Sequence, residues 1–215
     1  MTIRHHLSEP LLMAYAAGEL PEAFALVVAT HVSLCDDCRA RSEAWEAVGG
    51  AVVEDGFAPM SDDALEACLA RLDGLEQEPR PVPQPAPKRA VFPAPLAAYV
   101  GGDVAAVKWR SLGKGVRQAI LPTDRQAAAR LLYIPAGVAV PDHGHRGLEM
   151  TLVLQGAFSD ATGRFARGDV EIADGDLEHV PVAEPGEDCI CLAATDAPLR
   201  FKAMIPRLAQ PFMRI

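Results

Sequence analysis

Hydrophobic positions recur along this chain with two different periods, and the change of period divides it. Up to about residue 77 the spacing is helical. Ser8 stands where a cap belongs for a helix that opens at Glu9-Pro10, runs through Leu11, Leu12 and Tyr15, and stops at Gly18. Pro21 opens a second helix carrying Phe24, Val27, Val28 and Val32, and a third is predicted from about Asp36 to Val53 with Trp45 and Val48. Ser61-Asp62-Asp63 reads as the cap and acidic first turn of a fourth, amphipathic helix with Leu65, Leu69, Leu72 and Leu75 on one side. From residue 96 to about 205 the period shortens. Ala106-Val107-Lys108-Trp109, Arg130 to Ile134, Met150 to Leu154, Asp169 to Ile172 and Cys189 to Leu192 are short segments punctuated by Gly, Pro and Asp, the pattern of an all-β sandwich or barrel.

Between the two regions, residues 78–95 hold seven of the 18 prolines. Alternating prolines favour extended polyproline II, so this segment is predicted to be a linker that spaces its neighbours semi-rigidly and does not require them to pack. The predicted organisation is therefore a helical domain at 1–77, a Pro-rich linker at 78–95, a β domain at 96–205 and a C-terminal tail at 206–215. Three short helices make a thin core, and domains of that size usually need a metal or a partner.

Charge separates along the same boundary. Residues 1–78 carry four Arg and no Lys against fifteen Asp and Glu, a net of −11, within a whole-chain net of −9. Such a surface repels phosphate backbones, which disfavours direct DNA or RNA binding and suits a basic protein partner, or serves solubility alone. No run approaches a membrane span and the first residues lack the apolar stretch of a signal peptide, so a cytoplasmic protein with reduced thiols is expected.

The first candidate site is His31-Val32-Ser33-Leu34-Cys35-Asp36-Asp37-Cys38. His31 and Cys35 lie one helical turn apart on one face, and Cys38 adds a second thiol. Zinc takes four N or S donors, and the neighbouring His5 and His6 each offer the fourth; spacing does not choose between them. A redox Cys-x-x-Cys is the rival reading, opposed by the two aspartates between the sulfurs, which raise thiol pKa values.

The second is Gly137-x5-His143-x-His145-x3-Glu149-x6-Gly156, with His179 in a later segment that begins at Gly168. Residues i and i+2 of a strand share a face, so His143 and His145 point together, and Glu149 and His179 complete three nitrogens and a carboxylate. That set suits Zn, Mn, Fe or Ni. The spacing resembles the first cupin motif in full. The second motif departs from it, with Asp174, Asp176 and Ala183 where cupins show Pro, Gly and Asn. Cys189 and Cys191 share a strand face as an oxidisable pair or, the favoured reading, two small core residues, and Cys68 reads as core or interface.

Taken together, an acidic helical module with His-x3-Cys-x2-Cys, an upstream histidine, a Pro-rich linker and a cupin-like domain resembles the ChrR-type zinc anti-sigma factors over almost the whole chain. The resemblance implies a small zinc-stabilised helical bundle followed by a C-terminal cupin β-barrel. It implies zinc on His6, His31, Cys35 and Cys38, and zinc or another divalent transition metal on His143, His145, Glu149 and His179. It also implies a 1:1 complex with a group IV (ECF) sigma factor, released on singlet oxygen or organic peroxide through the cupin. The competing class is a dioxygenase-like metal-dependent cupin enzyme with an accessory zinc module. Against turnover stand the acidic helical fusion and the lack of a further acid/base histidine, since all six are assigned or adjacent.

Overall fold

The computed structural model describes residues 2–56, 58–73, 90–144, 146–175, 178–198 and 200–201. Helix α1 (Glu9–Ala16) ends where Gly18 turns to φ +71°, with the Glu19 amide on the Ala14 carbonyl. Ser8 occupies its cap position in extended backbone but makes no side-chain cap bond. Helix α2 (Glu22–Val32) has Pro21 as its cap, and α3 (Asp36–Asp55) is capped by Cys35. Helix α4 (Ala64–Asp73) follows the predicted acidic start and is exposed along almost its whole length, Leu65, Leu69 and Leu72 included, while Leu75 lies outside the described residues.

Residues 78–89 of the predicted linker, and the 206–215 tail, lie outside the described residues. Where the chain resumes, Phe92 is buried and α5 (Ala94–Val100) begins, with Leu96 fully enclosed. Asp103 accepts from the amides of Val91, Phe92 and Val104 and winds a single 3-10 turn at Val104–Ala106. The strand expected at Ala106 to Trp109 is therefore displaced to β1 (Arg110–Gly113).

Next come β2 (Val116–Ile120), β3 (Ala128–Ile134), β4 (His143–Gly144), β5 (Glu149–Gln155), β6 (Ala157–Ser159), β7 (Arg164–Ala166) and β8 (Val170–Ala173). The last four are β9 (Glu178–His179), β10 (Val182–Ala183), β11 (Cys189–Thr195) and β12 (Arg200–Phe201). A six-stranded sheet runs β1-β2-β3-β11-β5-β8, and two three-stranded sheets run β10-β6-β7 and β12-β4-β9. Ile134, Val153, Cys189 and Cys191 of the large sheet pack with Phe158, Phe165 and Ala183 of the small one, so this is the inner, cupin-type core.

The other face of the large sheet is also covered. Leu131, Leu152, Leu154, Ile190, Leu192 and Ala194 join Leu12, Phe24, Val27, Val28 and Leu96 in one continuous core, and α2 packs on β3, β5, β11 and α5. The proline run left packing between the modules open, and the helical module and the β domain share a hydrophobic core. This is why every residue of β11 is buried and why its sequence, Cys-Ile-Cys-Leu-Ala-Ala-Thr, lacks the apolar-polar alternation of a one-sided strand. The β sheet supplies the partner that the thin bundle lacked.

Candidate functional site

Local structure explains why the first four donors converge. His31 sits in the last turn of α2, and the Leu34 and Cys35 amides both return to its carbonyl, at 2.9 Å each. That tight turn delivers Cys35 to the start of α3, where its Sγ accepts from the Cys38 amide at 3.5 Å. The turn thus sets both sulfurs at the first turn of α3. The N-terminal segment brings in His6, whose Nδ1 lies 3.3 Å from Cys35 Sγ and 3.6 Å from Cys38 Sγ. The donor atoms of His6, His31, Cys35 and Cys38 all lie within 4.8 Å of one another.

These distances fit a tetrahedral ion. Metal bonds of about 2.0 Å to nitrogen and 2.3 Å to sulfur at tetrahedral angles place N and S about 3.5 Å apart. Two further observations agree. His31 Nε2 is buried with no hydrogen-bond partner, while its Nδ1 lies 2.9 Å from the Gly168 carbonyl. Burial pushes the His31 imidazole down to about 4, keeping it neutral and able to ligate. Burial also pushes the Cys38 thiol up to about 11, so an ion is what would draw the thiolate form there. His5 turns the other way, its ring against Phe165 and its Nδ1 3.6 Å from Asp169. The cluster could hold a metal ion, and of the two neighbouring histidines it is His6 that joins it.

In the cupin region, β4 pairs with β9 so that His143 lies opposite His179 in the backbone register. Only the backbone of His143 is described, and His145 lies outside the described residues. Glu149 begins β5, half-buried, and accepts from Thr151 Oγ1 at 3.1 Å. His179 is buried, with Nδ1 2.6 Å from Asp160 Oδ2 and 3.3 Å from Glu171 Oε1. The cluster that forms around it among the described residues is thus Asp160, Glu171 and His179, and sequence reading missed the two carboxylates. Asp160 Oδ1 is already occupied by the Thr162 amide and hydroxyl and the Gly163 amide. Burial alone would raise the Asp160 carboxyl, but the bonds from Thr162, Glu171 and His179 hold it well below the usual range. Burial raises Glu171. Burial alone would lower His179, and the two carboxylates reverse that. An ionised Asp160 on Nδ1–H directs the ring's lone pair to Nε2, the nitrogen that could then ligate a metal.

In β8 Glu171 is buried while Ile172 is exposed, so the carboxylate points inward. Asp160 and His179 line an open cavity of 540 Å³ with Asp142, Ser159, Val180 and Val182. Cys189 and Cys191 are both buried, their sulfurs 3.5 Å apart inside the inner core, consistent with the core reading.

Away from both clusters, the acidic module presents apolar side chains to solvent. Leu65, Leu69 and Leu72 of α4 are 70%, 51% and 56% exposed, and Val48, Val52 and Val53 of α3 are exposed as well. Among the described residues no helix is long and apolar enough to cross a membrane.

Comparison with known proteins bears on all of this. A family model described as the ChrR cupin-like domain matches residues 98–198. The chain is 63% identical over 217 residues, covering the whole of both proteins, to Anti-sigma-E factor ChrR of Cereibacter sphaeroides. It matches a chain in the crystal structure of Rhodobacter sphaeroides SigE in complex with the anti-sigma ChrR with TM-score 0.79 and 62% identity, over 91% of this chain and 100% of that one. An RmlC-like cupin protein of Ralstonia eutropha is a looser likeness, at 21% identity and TM-score 0.42 over 48% of this chain and 71% of that one.

Proposed function

This chain belongs to the ChrR family of anti-sigma factors, and on that premise we propose that its helical module sequesters a group IV sigma factor in a 1:1 complex and releases it on an oxidative signal received by the cupin domain. The observation that carries the first half is the leucine stripe of α4, exposed on a module whose net charge is −11. An apolar stripe at helical spacing fits a groove on a partner, and the surrounding carboxylates compete with DNA for a basic surface. Inhibition is occlusion, so turnover is not required, and the chain acts as a regulator rather than an enzyme.

In this reading zinc occupies His6, His31, Cys35 and Cys38 as a structural ion that holds the short helices together. A divalent transition metal occupies His143, His145, Glu149 and His179 in the cupin, with Asp160 orienting His179 from behind. When bound, that metal supplies an oxidant- or ligand-sensitive centre. The chain's own part is to keep His179 in one tautomer and to place the cavity beside Asp160 and His179 next to it. Singlet oxygen or an organic peroxide is the signal that the family resemblance implies. Release requires two states of the chain with different affinity for the sigma factor.

The test uses the full chain, tagged in its native host. It is expected to co-purify with one small sigma factor and with zinc, and to lose the sigma factor after illumination with a photosensitiser. His143→Ala and Glu149→Ala are expected to retain the sigma factor through the same treatment. Capture of zinc without any sigma factor would end the anti-sigma reading. Normal release from both variants would end the sensory role of the cupin.

A further inference from the structure

The two metal clusters are joined by one short turn. We propose that the turn between β7 and β8, residues 166–170, is the outer shell of the N-terminal metal centre, with Asp169 as its positioning residue, so that metal affinity in the helical module depends on its seating against the cupin domain. The proposal rests on the reading of His6, His31, Cys35 and Cys38 as ligands and goes beyond it, because the shell belongs to the other module.

Two of the four donors are held from this turn. The Gly168 carbonyl, 2.9 Å from His31 Nδ1, can only accept a hydrogen bond. It therefore fixes the proton on Nδ1 and leaves the Nε2 lone pair facing His6, Cys35 and Cys38. Asp169, 3% exposed, accepts from the Arg4 and His5 amides through Oδ1, at 2.7 and 3.0 Å. The Val170 amide donates to the His5 carbonyl at 3.3 Å. Three bonds thus clamp the backbone immediately before His6, which carries no helix or strand of its own to hold it.

The turn is itself rigid. Asp169 Oδ2 accepts from the Ala166 amide at 2.9 Å, and Gly168 takes φ +91°, a conformation that favours glycine. The Gly168 amide donates to the Val153 carbonyl, and the Val153 amide donates to the Asp169 carbonyl, pinning the turn to β5. Its far end continues into β8, where Glu171 lies 3.3 Å from His179 Nδ1. Glu171, at the cupin cluster, is thus two residues from Asp169, the clamp on the N-terminal cluster. A change at His179 can therefore reach the segment bearing His6 through the Glu171 contact, two residues of backbone and the hydrogen bonds on Asp169.

The experiment uses the full chain loaded with Co²⁺, whose thiolate charge-transfer absorption in the near ultraviolet reports Cys35 and Cys38 and separates that site from the nitrogen and oxygen donors of the cupin. Competition with a chelator gives the affinity. Asp169→Ala is expected to weaken the thiolate site about 10- to 100-fold, the usual effect of losing an outer-shell partner, with the cupin site unchanged. Asp169→Asn retains an oxygen for the Arg4 and His5 amides while opposing the Ala166 amide, and it is expected to recover most of the affinity. Wild-type affinity in Asp169→Ala, whatever its melting temperature, would overturn the proposal. So would an equal loss in Asp169→Asn, which would assign the effect to closure of the turn and serves as the deciding variant if the alanine form does not fold. Absence of thiolate charge transfer in the wild-type chain would overturn the ligand reading and this proposal together.

Discussion

A single core across both modules makes a quantitative claim about Phe24. This side chain lies on α2, is 2% exposed, and belongs to the same core as the outward face of β3, β5 and β11. A buried phenylalanine removes roughly 150–250 Å² from water, and its replacement by alanine costs about 3–5 kcal/mol once the residual cavity is included. For a chain of this length each kcal/mol lowers the melting temperature by about 2–4 °C, so Phe24→Ala is expected to melt roughly 6–20 °C lower. The informative assay is residue-specific. Trp45 bonds to Glu9 within the helical module, and Trp109 packs on Tyr133 in the β domain. Fluorescence melts in Trp45→Phe and Trp109→Phe backgrounds therefore follow each module separately. With one shared core both probes move by the same amount. If the Trp45 signal drops by the expected interval while the Trp109 signal keeps its wild-type midpoint, the modules unfold independently and the argument from burial is wrong.

Three other outcomes follow from the geometry. Leu69→Asp places a charge on the exposed stripe of α4 and is expected to leave the melting temperature nearly unchanged, while sigma-factor affinity by pull-down or calorimetry falls roughly thirtyfold, about 2 kcal/mol. Asp160→Asn removes the carboxylate on His179 Nδ1 and is expected to weaken metal binding in the cupin by about 10- to 100-fold in a chelator competition, leaving the N-terminal site intact. The third concerns pH. Burial alone would raise the Asp169 carboxyl, but the Ala166, Arg4 and His5 amides outweigh it and hold the carboxyl below its ordinary value. A group whose folded pKa is depressed adds stability above its unfolded pKa, about 3.9, and loses it as pH falls toward the folded value. Thermal melts between about pH 5 and pH 3 should thus decline more steeply in the wild-type chain than in Asp169→Asn, and parallel slopes would contradict the assignment.

The parts of this protein legible in sequence are those set by local geometry. Helical spacing located α1 to α4, because apolar side chains on one face of a helix recur every three to four residues. His31, Cys35 and Cys38 are near in sequence and near in space, so their chemistry was readable without a fold. The glycine frame around His143, His145 and Glu149 placed a cupin-type domain for the same reason. What lay beyond reach depended on partners far along the chain. Asp160 and Glu171 meet His179 only through the stacking of strands that are separate in sequence. The choice of His6 over His5 follows from Asp169 and Phe165, more than 150 residues away, which hold His5 against the cupin and leave His6 to turn toward the sulfurs. The proline run left open whether the modules pack, and the two-sided burial of β5 and β11 required a second layer on the sheet. Sequence by itself determined the two periods, the charge asymmetry and the thiol-bearing cluster, since each is a matter of neighbouring residues. Only the tertiary structure decided that α2 and α5 supply that second layer and that the Gly168-Asp169 turn runs from the His6, His31, Cys35 and Cys38 cluster toward Glu171 and His179, because apolar surface is non-directional and finds its cover through the whole fold.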